Sequence, residues 1–303
     1  MNNIDKFLKN KQIINSENIF YFSVVWSVLS LLFFLLYGVP DPEQELPSWY
    51  AIGTYISSMI PFLIAAILCA RNWLAPHILS GKKVWLLMGI GMISYFLGDV
   101  FLGTWEVILG LEADISPADI FYYSFYIFVG WGILLTVLHR RLNLSLTQWL
   151  IIAGVVLFGI LLAVWITVLI PQNLADVAET ATKTTSEVAE QAKGLDGFLS
   201  RFSDIFNFFY LVCDLTLLVL ASMLLLAFWE GKFSQPWKII AAAIIALYIA
   251  DMWFQYSLVT DSRFATANLL EVCFVFSGVL FALGAAREYD LSLTRGRINR
   301  RRR

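Results

Sequence analysis

Asp99 and Glu106 stand seven residues apart in ISYFLGDVFLGTWEVILG (93–110), an apolar stretch with no Lys or Arg. Seven residues make close to two helical turns, so the two carboxyls fall on one helical face. Asp119, Asp204, Asp214, Asp251 and Glu271 lie within or at the edge of comparably apolar stretches. Such groups can hold a cation, a small cationic ligand or a proton. An all-oxygen set such as Asp99, Glu106 and Asp251 would suit calcium, magnesium or manganese, and whether a metal binds stays open at this stage. Tyr95, Trp105, Tyr122 and Trp253 are the aromatic residues expected to line a pocket beside them.

Conventional catalytic signals are missing. The chain has no HExxH, GxSxG, phosphate-binding GxxxxGK[ST] or CxxC pair, so no catalytic residue is assigned and no cofactor is expected. His77 and His139 fall at the ends of apolar stretches, where interfacial polar residues need no further role. Cys69, Cys213 and Cys273 share no close spacing and read as small buried hydrophobes.

The elements that carry these carboxyls are membrane spans. The 303 residues are 59% hydrophobic and 15% charged, with mean hydropathy +0.73. Ordinary soluble proteins carry about 25% charged residues. Eight apolar runs are each long enough to cross a hydrocarbon core about 30 Å thick as helices. They cover roughly 18–39, 49–70, 84–109, 119–138, 149–170, 204–229, 237–259 and 266–286. The first lacks a small-residue cleavage site and reads as a span, not a signal peptide.

Basic residues orient the chain. With a cytoplasmic N-terminus, the inner segments hold Lys6, Lys9, Lys11, Arg71, Lys82, Lys83, Arg140, Arg141, Lys232, Lys238 and the arginines from Arg287 to Arg303. The outer segments hold Lys183, Lys193, Arg201 and Arg263. The positive-inside rule therefore puts both termini in the cytoplasm. The tail RGRINRRRR can meet anionic headgroups, and nucleic-acid binding is not expected of a tail tethered to a membrane. The outer loops DPEQE (41–45) and LEAD (111–114) are acidic, and 171–203 is expected to form a short amphipathic helix on the outer surface.

Spacing also points to a repeat. Trp85 precedes Asp99 by fourteen residues, and Trp237 precedes Asp251 by the same interval. ADIFYYSFYIFVGWGILL (118–135) also echoes SDIFNFFYLVCDLTLL (203–218). Four spans per half make a parallel repeat, an arrangement that places shared sites between halves. The fold expected is thus an all-α integral membrane protein of eight transmembrane helices in two parallel four-helix repeats. Its parts are an N-terminal segment (1–17), a first half (18–145), a second half (146–286) with the insertion 171–203, and a basic tail (287–303).

Rise per residue sets the depth of the acids. Asp99 lies about 22 Å and Asp251 about 21 Å along their helices from the inner face, in the outer half of the bilayer. An aspartate at a helix centre costs about 2.5–3.5 kcal/mol on insertion scales, so these groups should face the bundle interior or an outward vestibule. Three uses compete: interhelical hydrogen bonds to partners such as Ser94, Tyr95, Tyr248 and Gln255; a pocket for a small cation or proton; or a transport path or intramembrane catalytic site.

GDVFLGTWEVILGLEADISPADIFYYSFYIFVGWGILL (98–135), SDIFNFFYLVCDLTLLVL (203–220) and IADMWFQY (249–256) carry a family likeness. They resemble the multi-span N-terminal membrane region of some bacterial diguanylate cyclases and related signalling proteins, with Asp99, Asp119, Asp204 and Asp251 at matching positions. In those proteins an output domain follows the last span, whereas here seventeen residues follow Ala286. The resemblance implies a stand-alone sensing module in a bacterial inner membrane, with an internal membrane such as the thylakoid as the alternative. It also implies contact with membrane lipids, a cytoplasmic signalling partner and possible homo-oligomers. SYFLGDVFL is similar to the eight-span lysoplasmalogenase family, but that family's histidine in the following helix is missing from 119–138. A sensing or partner-binding module is therefore the expected function. A proton- or cation-coupled solute transporter is the alternative, and an intramembrane lipid hydrolase stands third.

Overall fold

The computed structural model describes residues 15–38, 48–76, 78–110, 115–139, 145–170, 203–227, 235–260 and 268–301. They form eight long helices: α1 (Ser16–Tyr37), α2 (Ser48–Leu74), α3 (Lys82–Gly103), α4 (Asp119–His139), α5 (Leu146–Val164), α6 (Ser203–Ala227), α7 (Gln235–Thr260) and α8 (Asn268–Arg301). Short π-helical turns extend α3 (Thr104–Ile108) and α5 (Trp165–Leu169). All eight are long and apolar enough to cross a membrane, and no strand occurs among the described residues. The chain is a polytopic, all-helical membrane protein. The acidic loops 41–45 and 111–114, the segment 171–202 and His77 lie outside the described residues.

Local sequence sets several helix ends. Ser116-Pro117-Ala118-Asp119 opens α4: the Ser116 N–H donates to Asp119 Oδ2 at 2.7 Å, and the Ala118 N–H donates to Ser116 Oγ at 3.2 Å. Proline suits such a start because its missing N–H would have gone unpaired there. Ser145 and Gln148 form a reciprocal capping box at the start of α5. Pro61 lies inside α2 and cannot donate to the Ser57 carbonyl four residues back. That carbonyl instead accepts from the Trp26 indole of α1 at 3.0 Å. The proline thus frees the backbone acceptor by which α1 is pinned to α2.

The packing forms a ring. Contacts run α2–α3–α4–α6–α7–α8 and back to α2, with α1 docked on α8 and α5 on α6. α7 and α8 are the most enclosed spans, and α1 and α5 the least. Outward positions are large and apolar, as in Val25, Leu36, Leu150, Phe158 and Ile205, the surface that lipid requires. Inside the ring, Trp85, Met88, Met92, Ile240, Ile244 and Leu224 are fully buried and fill the end nearest the chain termini. The Trp85 and Trp237 rings meet there, with centroids 5.8 Å apart. The two sequence echoes link different pairs of helices, α3 with α7 and α4 with α6, so one repeat operation does not generate both.

α8 departs from the expected boundary at Ala286. The helix runs on to Arg301, and its next turns are packed. Glu288 is buried and accepts from Ser80 through both backbone and hydroxyl, while Ser292 accepts from the Leu79 N–H at 3.2 Å. Arg71 lies 4.0 Å above the Tyr289 ring. Residues 287–294 therefore belong to the bundle. Their polar side chains look like a tail by hydropathy, but they satisfy the turn between α2 and α3, where Gly81 adopts a φ of +92°.

Candidate functional site

Polar stripes on several helices face one end of the ring. On α3, Tyr95, Asp99, Leu102 and Glu106 follow steps of four, three and four residues. On α4, Asp119, Tyr122 and Tyr126 follow steps of three and four, and Asn207, Tyr210 and Asp214 repeat that spacing on α6. Tyr55 and Ser58 enter from α2, Asp251 and Gln255 from α7, and Glu271 from α8. Three- and four-residue steps keep side chains on one helical face. Together they line a cavity of about 310 Å³, near the lower limit for small-molecule sites. The cavity lies where α1, α3 and α7 end and α2, α4, α6 and α8 begin, the end opposite both chain termini.

Six of the seven expected carboxyls therefore share one cavity: Asp99, Glu106, Asp119, Asp214, Asp251 and Glu271. Asp204 lies in the first turn of α6, and its side chain is outside the described residues. No Lys, Arg or His lines the cavity among the described residues.

Tyrosines meet the acids. Tyr122 donates to Asp99 Oδ1 at 2.8 Å, Tyr55 bonds Glu106, and Tyr210 bonds Asp119. The Tyr122 ring reaches Asp99 by lying against Gly98, where an added Cβ would come within 2.6 Å of it. The π-helical turn carries Glu106, and such turns recur at functional sites.

Tyr126 joins two carboxyls. Its hydroxyl stands 2.6 Å from Asp214 Oδ1 and 2.9 Å from Asp251 Oδ2, so it bridges the two carboxyls. A phenol has one proton to donate. Both contacts are satisfied together when one of the two carboxyls carries a proton and donates it to the Tyr126 oxygen.

Other polar atoms are left over. Asp99 Oδ2, Ser58 Oγ and Tyr50 Oη are buried, all three residues line the cavity, and apart from the Ser58 hydroxyl standing close to Asp99 and Tyr95 these atoms meet no hydrogen-bond partner. Below them the Phe62 and Tyr95 rings stack at 3.8 Å, with Phe125 and Phe281 packed beside them. This aromatic layer and the packed core beneath it close the far end.

No family model, no curated protein and no solved structure matches this chain.

Of the aromatic residues expected at the pocket, Tyr95 and Tyr122 line it and the two tryptophans do not. Trp105 is buried one residue before Glu106, about 100° around the helix. Trp253 follows Asp251 by two residues and turns to the opposite face of α7. There it lines an apolar cavity of about 660 Å³ between α5, α6 and α7. Tyr50, Tyr55, Tyr126, Tyr210 and Ser58 join the site without having been singled out from the sequence. The repeated spacing of Asp119-Tyr122-Tyr126 and Asn207-Tyr210-Asp214 is the signal that would have found Tyr126 and Tyr210; nothing comparable marked Tyr50, Tyr55 and Ser58 on α2. Tyr248 bonds the Gly159 carbonyl and Ser94 its own helix, so neither serves as a partner to the acids. Among the described residues, no three His, Cys, Asp or Glu side chains converge tightly enough to hold a metal ion, and the three cysteines are free thiols.

Proposed function

We propose that this chain is a membrane sensing module that binds a small cationic ligand in the acidic, tyrosine-lined cavity. One observation carries the reading: six carboxyls from five helices meet in one cavity with no basic side chain lining it among the described residues. Placing that many acids together in a membrane bundle is costly unless something neutralises them. A cation from the aqueous phase does so.

The cavity faces away from the cytoplasm in this reading. Its end of the ring is opposite Arg71, Lys82, Lys83, Lys238 and Arg287, and the positive-inside rule puts those residues inside. The closed aromatic floor favours a receptor over a conduit. The equal Trp-to-Asp spacing on α3 and α7, Trp85 to Asp99 and Trp237 to Asp251, supports two parallel halves with the site between them, while α1 on α8 and α5 on α6 dock without following that correspondence. Ligand binding between halves can shift their packing and so signal to a cytoplasmic partner. The likeness of 98–135 to cyclase input regions supports that role, and the membrane is then a bacterial inner membrane.

The Tyr126 hydroxyl bridging Asp214 and Asp251, a place where a proton can be shared, favours a second reading, a proton-coupled carrier. Reconstituted vesicles separate the two. A sensor binds cations without passing them across the bilayer, whereas cation uptake driven by a proton gradient and lost in Asp251→Asn makes the chain a carrier.

A further inference from the structure

The cavity's acceptors define the ligand more narrowly, on the premise that the cavity binds a cation. Asp99 Oδ2 and the Ser58 Oγ beside it are buried in the cavity and meet no partner beyond one another and Tyr95, so both oxygens keep acceptor capacity that no described donor fills. Buried acceptor capacity left unused is costly, so the right ligand brings N–H or O–H donors to it. A quaternary ammonium has none. A neutral polyol has donors but leaves the carboxylates unneutralised. An anion is repelled. A metal ion needs converging ligands that the described residues do not assemble.

The acids are also spread along the helices. Glu106 lies seven residues beyond Asp99, about 10 Å along the axis, and Glu271 sits within electrostatic reach of Glu106. One ammonium group cannot serve both levels. Between them run the rings of Tyr122, on Asp99, and Tyr55, on Glu106, which suit both a methylene chain and a cation over an aromatic face.

We infer that the cavity takes a linear organic di- or polyamine, with one ammonium donating to Asp99 and Ser58 and a second at Glu106 and Glu271. The distal ammonium distinguishes Glu106 from the carboxyls deeper in the cavity.

Calorimetry on the full chain in lipid nanodiscs tests this with 1,4-diaminobutane, spermidine, butylamine, tetramethylammonium, 1,4-butanediol and calcium. The diamine or triamine is expected to bind at least tenfold more tightly than butylamine, with no measurable heat from butanediol. Asp99→Asn is expected to weaken diamine binding tenfold or more, and Glu106→Gln to bring it down to the butylamine level. Ser58→Ala removes an acceptor without touching a carboxyl and serves if Asp99→Asn fails to fold; it is expected to weaken binding severalfold. Tetramethylammonium or calcium binding as tightly as the diamine overturns the amine assignment and leaves the cation-binding reading standing. Folded protein that binds none of the cations overturns both.

Discussion

The Tyr122 hydroxyl donates to Asp99 Oδ1 at 2.8 Å across the bare face of Gly98. The Gly-Asp pair in α3 thus acts as one device: the glycine admits the ring and the aspartate receives its hydroxyl. Tyr122→Phe removes one interhelical hydrogen bond inside a membrane bundle and is expected to cost about 0.6–1.7 kcal/mol. Gly98→Val drives a side chain into the ring and is expected to cost about 1–3 kcal/mol. Unfolding in mixed detergent micelles measures both, and a neutral Gly98→Val would mean that α3 and α4 are not in contact at this level.

Tyr126 has one proton for two carboxyls, so a second proton on Asp214 or Asp251 is expected. Infrared spectra at neutral pH are expected to contain the carbonyl stretch of a protonated carboxyl, lost in Asp251→Asn and shifted in Tyr126→Phe. Spectra with every carboxyl ionised at pH 7 would remove the shared proton and, with it, the case for a proton-coupled carrier.

The end of α8 is structural. Glu288→Ala leaves the half-buried N–H and hydroxyl of Ser80 without their acceptor and is expected to destabilise the bundle by about 1–3 kcal/mol. Truncation after Ala286 also removes the Tyr289 ring beneath Arg71, with a larger loss. Full stability of the truncated chain would return residues 287–294 to the status of a tail.

Topology is open to a simple labelling experiment. With Cys69, Cys213 and Cys273 replaced by alanine, Glu112→Cys is expected to react with an impermeant thiol reagent added outside intact cells. Ser234→Cys is expected to react only after the membrane is opened. The reverse pattern would turn the cavity toward the cytoplasm.

Much of the fold was legible because lipid imposes it: runs of about 20 apolar residues have one viable backbone solution. The acids were legible for the same reason, since Asp99 and Asp251 are conspicuous against Leu, Ile and Phe. Their convergence was not. Asp119 and Tyr210 meet across 91 positions and Tyr126 and Asp251 across 125, distances that no local period encodes. Tyrosines hid among the other aromatic residues because hydropathy scores the ring and ignores the hydroxyl. Glu288 and Ser292 misled for the converse reason, since polar residues at a span's end look solvated even when a neighbouring turn buries them. Trp105 and Trp253 failed on helical phase alone.

Carboxyl footprinting in sealed, oriented vesicles tests the shared aqueous cavity most directly. A water-soluble carbodiimide added on the side opposite the termini is expected to modify Glu106 and Glu271, with a small diamine protecting both. Modification by a lipid-soluble carbodiimide alone, or by the polar reagent from the terminal side only, would contradict it.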